Sequence, residues 1–335
     1  MPDAAAGAVA EPLRPPRATR GAGIAALGVA LPRTAVPNAP IAERLGVDDH
    51  WIVKRIGVHE RRMVQDDERL SDLVERASRQ ALERAGVEPD QLDLILVGTF
   101  TQDEILPNAA PLTAGALGAT RAGAVDLGAA CMGFLSGVAL AAAQIEAGRA
   151  DTVLVVGAEV LTRFLDMDDR RTAALIGDGA GAVVMTAIDG PSRIGPCILR
   201  ADDRSREVVY MTREDGKLRM EGQQTFAIAV DSLSDVSRQA VAAAGMTLDD
   251  IDLFVYHQAN ARITKAVGER LGLRGERVVD CIEALGNTSA ASIPLALGVA
   301  AGEGRLHDGD RILVAAIGAG FTWGAAVIEW SGRAV

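Results

Sequence analysis

The chain has 335 residues and a formal net charge of −11, and 49% of its residues are hydrophobic. A chain of this length can bury a large core in one or two domains. The acidic balance and the few aromatic residues (3 Trp, 2 Tyr and 6 Phe) argue against a nucleic-acid partner, which normally needs a basic face. Three cysteines, an odd number, do not form a disulfide framework, so we expect a reducing compartment and a cytoplasmic protein.

The N-terminal segment, residues 1–20, is rich in Ala, Pro and Arg, and we expect a disordered tail followed by a first strand over 21–31. It resembles a signal peptide poorly, because Pro32 ends the apolar run and no small-x-small cleavage site follows. No stretch reaches roughly 18 uninterrupted apolar residues, so we predict no membrane span. Two glycine-rich runs, 21–26 and 177–182, lack the context of a dinucleotide or phosphate loop, and we predict no nucleotide site there.

An internal repeat is the clearest organisational feature. Residues 81–97 align with 240–256 without a gap, so that Gly86 and Gly245 lie 159 positions apart (245 − 86). Each copy reads as a helix, a glycine stop, an acidic turn and a buried strand. We therefore predict an N-terminal half, residues 21–190, and a C-terminal half, residues 191–335, that share one plan.

Within each half, helical runs alternate with short strands rich in Val, Ile and Leu, which is typical of an α/β sheet with a parallel centre. Apolar residues at helical spacing predict helices over 70–85, 134–147 and 230–244.

A reactive cysteine is predicted in the run from Gly128 to Phe134, which reads as a strand end, a tight turn and a helix start. At such a position the unpaired backbone N–H groups and the helix dipole favour a thiolate, so Cys131 is a candidate nucleophile. A small cysteine between alanines is alternatively core packing, and the choice depends on partners elsewhere in the chain.

Two partners lie in the second half. His257 follows the buried strand 251–256, whereas the equivalent first-half strand ends in 98–101 without a titratable group. Asn287 lies in a turn that leads into a helix, at roughly the place that Cys131 occupies by the repeat. Alone, an asparagine after glycine is a turn or cap residue, but together the three side chains predict a shared site between the halves.

The remaining candidates predict no further chemistry. His50, His59 and His307 lie in charged stretches, and Cys197 and Cys281 lie in apolar strands as ordinary core. No pair of His or Cys residues has metal-ligand spacing, so we expect no metal.

Five motifs, at 129–134, 177–182, 257–263, 286–294 and 318–324, resemble those of the thiolase superfamily and within it the 3-oxoacyl-acyl-carrier-protein synthase III (ketoacyl synthase III) family. The resemblance implies an α/β thiolase fold of five layers, αβαβα, and a homodimer. It implies no permanently bound cofactor, with acyl-CoA and a phosphopantetheine-linked malonyl group as substrates.

The resemblance also assigns roles to the three side chains. Cys131 would carry an acyl group taken from acyl-CoA. His257 and Asn287 would donate hydrogen bonds to the enolate formed as malonyl-acyl-carrier protein loses CO₂. The backbone N–H groups of Cys131 and Ala319 would form the oxyanion hole, and condensation would give the 3-oxoacyl-carrier protein that initiates a fatty acid.

The same resemblance implies the residues that bind CoA: Trp51 and Arg170 on either side of the adenine, Arg55 near the phosphates and Asn260 beside the pantetheine arm. It places Gly222 and Phe226 along the tunnel. It also implies that Arg262 belongs to a basic patch for the carrier and that Leu106 reaches the partner subunit's acyl pocket. For Trp51, packing at an interface is an equally good interpretation. Glu269 and Ala227 stand where basic residues are common, which predicts weaker binding of the carrier or a different carrier. We expect the charged run 200–220 to be a solvated loop.

Three alternatives stay open. A related enzyme of polyketide or other secondary metabolism could use the same triad to join or transfer acyl chains. An enzyme of the hydroxymethylglutaryl-CoA synthase type would need a first-half carboxylate base, for which Asp103 and Glu104 are the candidates. A catalytically silent subunit would be expected to lose its nucleophile, which this chain retains. Acyl chain length does not follow from the sequence.

Overall fold

The computed structural model describes residues 20–334. Its strands are β1 Arg20–Ala30, β2 Thr34–Pro37, β3 Glu60–Met63, β4 Leu94–Gly98, β5 Gly123–Leu127, β6 Thr152–Glu159, β7 Gly179–Asp189, β8 Ile198–Ala201, β9 Val209–Met211, β10 Leu218–Met220, β11 Leu253–Tyr256, β12 Val278–Val279, β13 Arg311–Gly318 and β14 Thr322–Glu329. Its α-helices are α1 Asn38–Leu45, α2 Asp49–Ile56, α3 Leu70–Ala85, α4 Ala109–Leu117, α5 Gly133–Glu146, α6 Gly222–Ala243, α7 Ala261–Leu271, α8 Ile282–Leu285 and α9 Ser292–Gly302.

The N-terminal tail was predicted for residues 1–20. Residues 1–19 lie outside the described part of the chain, and Arg20 belongs to β1, which begins and ends one residue before the predicted strand.

Two five-stranded sheets share one topology. The first has the order β1-β7-β6-β4-β5 and the second, read in the corresponding direction, β8-β14-β13-β11-β12. In both, the two pairs nearest the β5 or β12 edge are parallel, and the two pairs nearest the β1 or β8 edge are antiparallel. The register also repeats, since Leu94 pairs with Val153 and Leu253 with Ile312. The duplication thus extends to strand pairing, while the domain boundary at residue 190 stays a prediction.

The alternation of side chains on the central strands builds the layers. On β6, Val153 and Val155 pack against α5 and α9, whereas Leu154 and Val156 pack in the cluster with α3 and α4. On β13 the same alternation divides the side chains between the central helices and the layer of α6 and α7. The order is therefore helix, sheet, helix, sheet, helix, which confirms the predicted α/β thiolase architecture.

Local signals set most helix ends. α3 spans the predicted residues and ends at Gly86, whose φ of 66° is the left-handed conformation that glycine adopts readily. α6 begins at Gly222 rather than at the predicted residue 230. Its first two turns are largely exposed, so they carry no apolar periodicity by which the sequence could reveal them.

The charged run 200–220 is not the solvated loop that we expected. It contains the hairpin β9–β10, in which Val209 pairs with Met220. Leu218 is buried against Val58 and Ile282, so one face of the hairpin joins an apolar cluster. The expectation that Cys197 and Cys281 lie within strands was also wrong, because Cys197 is the residue before β8 and Cys281 the residue before α8.

Candidate active site

A cavity of about 600 Å³ opens between the two halves. Cys131, His257 and Asn287 all line it, as does the Gly318–Ala319 segment. The other predicted binding residues that line it are Trp51, Arg55, Arg170, Gly222, Phe226, Asn260 and Arg262. Leu106 does not line it; its side chain is 79% exposed. The fold thus brings every predicted site residue but one to a single cavity.

Cys131 lies in a short 3-10 turn, Ala130–Met132, that runs directly into α5. Ala130 has a φ of 47°, in the left-handed region that non-glycine residues rarely adopt. Ser289 has a φ of 50° in the equivalent turn, Ser289–Ala291, which runs into α9. The structural counterpart of Cys131 is therefore Ala290, and Asn287 lies three residues earlier than the repeat suggested.

The thiol is partly buried and has one hydrogen-bonding neighbour in the described residues, the Ser289 hydroxyl, at 3.4 Å from Sγ. Burial raises the pKa of the Cys131 thiol to about 11, with the Ser289 hydrogen bond acting in the opposite direction and Glu159 raising it further. Cys131 is thus a neutral thiol at pH 7. Burial therefore acts against the helix start, which was predicted to favour a thiolate.

His257 is buried, and its ring orientation is fixed from one side. Its Nδ1 lies 2.6 Å from the Ser292 hydroxyl, and that oxygen accepts the Gln258 N–H at 3.2 Å. Nδ1 is the one acceptor within reach of the Ser292 proton among the described residues, so we assign that proton to the bond with Nδ1 and the ring proton to Nε2. Burial lowers the pKa of His257 to about 4, so the ring is neutral at pH 7. The side chain is a neutral hydrogen-bond donor.

Asn287 is held at both its side chain and its backbone. Its Oδ1 accepts the Ser289 N–H at 2.9 Å, and its Nδ2 donates to the Ala259 carbonyl at 3.4 Å. Its backbone pairs with the segment before β7, since Asn287 N donates to Leu175 O at 2.8 Å and Gly177 N to Asn287 O at 3.0 Å. Gly177, the first residue of the motif at 177–182, therefore holds the backbone of the asparagine.

The Gly318 position explains a second motif. A Cβ at Gly318 would lie 3.0 Å from the backbone nitrogen of Cys131, so glycine lets the end of β13 approach the cysteine without pushing the two segments apart. Ala319 follows it and also lines the cavity. The two backbone N–H groups predicted to form an oxyanion hole thus belong to adjoining segments.

At the other end of the cavity, the Arg55 guanidinium lies over the Trp51 ring, 4.6 Å from its centroid. Arg170 instead donates to the carbonyls of Leu45 and Gly46. In this structure the cation on the Trp51 face is therefore Arg55. Arg262 lies over the Phe226 ring at 5.7 Å.

The first-half carboxylates considered as bases do not line the cavity. Asp103 accepts the N–H groups of Leu70 and Ser71 and pairs with Arg163, so it caps α3. Glu104 pairs with Arg69 at the surface.

Three side chains of the site were missed. Ser289 and Ser292 lie within a recognised motif without an assigned role, and Glu159 ends the buried strand β6. An acid within an apolar run is a detectable signal, because a fully buried carboxyl is rare without a function.

Within residues 20–334 no group of three or more His, Cys, Asp or Glu side chains is arranged to hold a metal ion. None of the helices in the same span is sufficiently long and apolar to traverse a bilayer.

Comparisons with known proteins agree with this geometry. The family model described as 3-oxoacyl-[acyl-carrier-protein (ACP)] synthase III matches residues 125–203, and that of the C-terminal region of the same family matches 241–330. The beta-ketoacyl-[acyl-carrier-protein] synthase III of Rhizorhabdus wittichii is 43% identical over 318 residues, covering 93% of this chain and 100% of the relative.

Solved structures give the same result. The 3-oxoacyl-[acyl-carrier-protein] synthase III of Aquifex aeolicus superposes with a TM-score of 0.89 at 37% identity, covering 92% of this chain and 100% of that one. A priming beta-ketosynthase from a polyketide biosynthetic pathway superposes with a TM-score of 0.90 at 35% identity, covering 96% and 99%. The chain therefore belongs to the 3-oxoacyl-[acyl-carrier-protein] synthase III family and is a condensing acyltransferase with the thiolase fold.

Proposed function

We propose that the protein condenses an acyl group from acyl-CoA with malonyl-acyl-carrier protein, through an acyl-Cys131 intermediate and with loss of CO₂. The observation that carries this proposal is the meeting of one thiol, one neutral imidazole and one amide in a single cavity. The product, 3-oxoacyl-carrier protein, would initiate a fatty acid. No permanently bound cofactor is needed for these steps.

Decarboxylation belongs to the second half in this proposal. Loss of CO₂ leaves an enolate, whose oxygen needs hydrogen-bond donors. The His257 Nε2–H can supply one because its Nδ1 is occupied by Ser292. The Asn287 amide can supply the other because its Oδ1 already accepts the Ser289 N–H. Neutral donors stabilise the enolate without giving it a proton, so its carbon remains nucleophilic.

The tetrahedral intermediate formed at the acyl-cysteine needs a second set of donors. The backbone N–H groups of Cys131 and Ala319 are suited to this because Gly318 places their segments side by side. Loss of one such donor typically costs about 100- to 1000-fold in rate.

For the CoA nucleotide we propose the Trp51 ring and the guanidinium groups of Arg55 and Arg170 at the same end of the cavity. A flat base and phosphates match an aromatic ring and cations. Asn260 and Gly222 would lie along the pantetheine arm.

For the acidic carrier the charges at the entrance are mixed. Lys265 lies 3.9 Å from Glu269, and Arg171 pairs with Glu221. In the charged run 200–220, Arg204 and Arg219 pair with Asp202 and Asp215. Arg262 is the residue that we propose for contact with the carrier.

We also propose a cytoplasmic homodimer. β5 is the terminal strand of its sheet, with one edge unpaired in the described chain. Large exposed apolar side chains lie on β5 and on the two helices that contact it, α4 and α5: Leu112, Val125 and Leu140. Such an edge favours pairing with a second copy, which would place Leu106 near the partner's site. Light scattering would measure the mass in solution: we expect the mass of a dimer for the parent protein and a shift toward the monomer mass for Leu140→Glu. A monomer mass for the parent protein would refute the dimer.

The test of the main proposal is acylation. The folded protein is incubated with radiolabelled acyl-CoA donors of different chain length and branching, and the adduct is located by mass spectrometry. We expect one adduct, on Cys131, and 3-oxoacyl product after malonyl-carrier protein is added. Cys197→Ala is the matched control, because that cysteine is free but does not line the cavity. Absence of an adduct with every donor would overturn the mechanism.

A second candidate function rests on the similarity to the priming ketosynthase of a polyketide pathway. The same triad would then join a primer to a chain that enters secondary metabolism. The donor panel, tested with malonyl-CoA and with malonyl-carrier proteins of both kinds, separates the two functions by the preferred donor and carrier.

A further inference from the structure

A buried carboxyl next to the site has no role in the chemistry described so far. Glu159 is fully buried at the end of β6 and does not line the cavity. No Lys, Arg or His side chain forms an ion pair with it in the described residues. A buried carboxyl without a cationic partner is costly, which makes a function for it worth seeking.

The hydrogen bonds of Glu159 distinguish its two oxygens. Oε2 accepts the hydroxyl protons of Thr101 and of Thr99, the latter at 3.2 Å. Oε1 faces a single hydroxyl, that of Ser289, at 3.4 Å. Because Oε2 is already occupied by donors, a proton that Glu159 takes up belongs on Oε1, facing Ser289.

Ser289 connects this carboxyl to the nucleophile. Its Oγ lies 3.4 Å from Glu159 Oε1 and 3.4 Å from Cys131 Sγ. A hydroxyl has one proton, so it donates to one neighbour and accepts from the other. With Glu159 ionised, Ser289 donates to the carboxylate and accepts the Cys131 S–H. With Glu159 protonated, Ser289 accepts from the carboxyl and donates to the Cys131 thiolate.

Among residues 20–334, Ser289 is the one side chain within hydrogen-bond distance of the Cys131 sulfur. His257 forms no hydrogen bond with Cys131 in the described residues, and its Nδ1 is occupied by Ser292. Burial also lowers the pKa of His257 to about 4, which makes the ring a weak base.

We propose that Ser289 and Glu159 form a proton relay that stores the Cys131 proton on Glu159 while the cysteine carries the acyl group. This inference rests on the acyl-cysteine chemistry proposed above. Ser289 is the bridge and Glu159 the store; neither contacts the cavity.

Acylation replaces the bond from the thioester carbon to the CoA sulfur by a bond to Cys131 Sγ. Cys131 Sγ forms a bond to the thioester carbon as its S–H bond breaks, and that proton passes to Ser289 Oγ while the Ser289 proton passes to Glu159 Oε1. The bond from the thioester carbon to the CoA sulfur breaks, and the sulfur leaves with the electron pair and is protonated from solvent.

The condensation step reverses the relay. The enolate carbon forms a bond to the acyl carbon, and the bond from that carbon to Cys131 Sγ breaks with the electron pair on sulfur. The proton stored on Glu159 returns through Ser289 to Sγ. The thiol and the carboxylate from which acylation began are restored, and one negative charge moves between the two groups instead of two charges accumulating.

The surroundings make the carboxyl suitable for this role. Residues from three segments face it: Thr99 and Thr101 after β4, Gly179 on β7, and Ser289 in the turn before α9. Cys131 is the titratable group at the other end of Ser289. Burial raises the pKa of Glu159 to about 8, and a base with a pKa near the working pH is an efficient proton acceptor.

The experiment measures the single-turnover rate of acyl-Cys131 formation between pH 6 and 10. For the parent protein we expect the rate to rise with pH and to level off above about pH 8, as Glu159 ionises. Glu159→Gln keeps the shape of the side chain but cannot store a proton, so the rate should fall by about 100-fold or more at pH 8. The inflection should vanish, leaving a rate that still rises at pH 10.

Ser289→Ala tests the bridge while the carboxyl is retained, and it should lose the same inflection. The Glu159→Gln/Ser289→Ala double variant should be no slower than the slower single variant, because each change breaks the same relay. Asp178→Asn is the matched control, since Asp178 is a buried carboxyl that bonds Thr162 and Val64 and not the cysteine; it should keep the inflection.

The outcomes separate the relay from the proposed function. If the parent protein forms no acyl-enzyme, the function fails. If it does, and both single variants keep the parent rate and pH profile, the relay alone is refuted. Additive losses in the double variant, with the inflection retained, would also refute the relay and indicate structural roles. Should Glu159→Gln not fold, the pH profile of Ser289→Ala decides.

Discussion

The two halves of the molecule have the same sheet order and the same turn before a central helix, yet they carry different side chains at equivalent positions. Glu159 at the end of β6 corresponds to Gly318 at the end of β13, and Gly98 at the end of β4 corresponds to His257 after β11. Each half therefore has glycine where the other has a titratable group.

The two glycines are explained by the close approach of the backbone to each of them. A Cβ at Gly318 would meet Cys131 N at 3.0 Å, and one at Gly98 would meet the Gly133 carbonyl carbon at 2.4 Å. Each glycine lets a strand end lie against a turn at the site, the second half reaching Cys131 and the first half reaching the start of α5. The duplication gives both halves the same backbone arrangement. The positions that differ make the N-terminal half the one with the thiol and the buried carboxyl, and the C-terminal half the one with the neutral hydrogen-bond donors.

The largest expected effect tests the assignment of the nucleophile to the first half. Cys131→Ala should abolish acyl-enzyme formation and lower condensation by 10⁴-fold or more, on the order of other nucleophile deletions. Moving the thiol to its counterpart, in Cys131→Ala/Ala290→Cys, should not restore either step, because Ala290 is buried and does not line the cavity. Restored acylation would show that the halves are interchangeable.

The next effect concerns stability and separates the buried acid from the neutral donors. The folded-state pKa of Glu159, about 8, lies above its ordinary value of 4.5, so the folded protein binds more protons than the unfolded chain between these values. Stability contributed by the protonated carboxyl is present below pH 4.5 and is lost as pH rises through 8. Relative to Glu159→Gln, the parent protein should lose up to about 5 kcal/mol over this window.

Denaturant unfolding at successive pH values would measure that difference. Asp178→Asn is the control, because burial raises the pKa of Asp178 only to about 6. Relative to Asp178→Asn, the parent protein should stop losing stability near pH 6. A Glu159→Gln difference that does not change with pH would show that the carboxyl stays ionised.

A smaller effect tests the role of the second half. His257→Ala or Asn287→Ala should slow malonyl decarboxylation by about 100- to 1000-fold, as expected for loss of an oxyanion donor. Self-acylation of Cys131 should remain measurable in both variants. Release of CO₂ and acyl-enzyme formation are assayed separately. Equal loss of both steps would contradict the assignment of acylation to the first half and decarboxylation to the second.

The smallest effect concerns the entrance, which both halves line. Trp51→Ala should raise the KM for acyl-CoA by about 10-fold, because a ring that stacks with a base and a cation contributes on the order of 1 kcal/mol or more. The KM for the matching acyl-pantetheine, which lacks the nucleotide, should not change. Equal KM values for acyl-CoA before and after the substitution would favour the interface-packing interpretation of Trp51.

Much of the fold was predictable because its signals are local. The glycine stops, acidic turns and apolar strands that repeat at a constant offset predicted two equivalent halves, and the same repeat appears in the strand registers of Leu94 and Leu253. The site was predictable to the extent that motifs keep their order, which is why Cys131, His257 and Asn287 were found and all line one cavity. The start of α6 was not found because its first two turns are largely exposed and show no apolar periodicity. The hairpin β9–β10 was not found because Leu218 is buried by residues distant in the chain, Val58 and Ile282.

The sequence by itself therefore determined the layered fold, the family and the candidate reactive side chains. Tertiary structure decided the state of those side chains. Burial keeps Cys131 a thiol and His257 neutral, the Trp51 ring meets Arg55 rather than Arg170, and Ser289 joins Cys131 to an acid far from it in the chain. The physical reason is that the pKa of a side chain and its hydrogen-bond partners depend on the groups that surround it, and here those groups come from both halves of the folded chain.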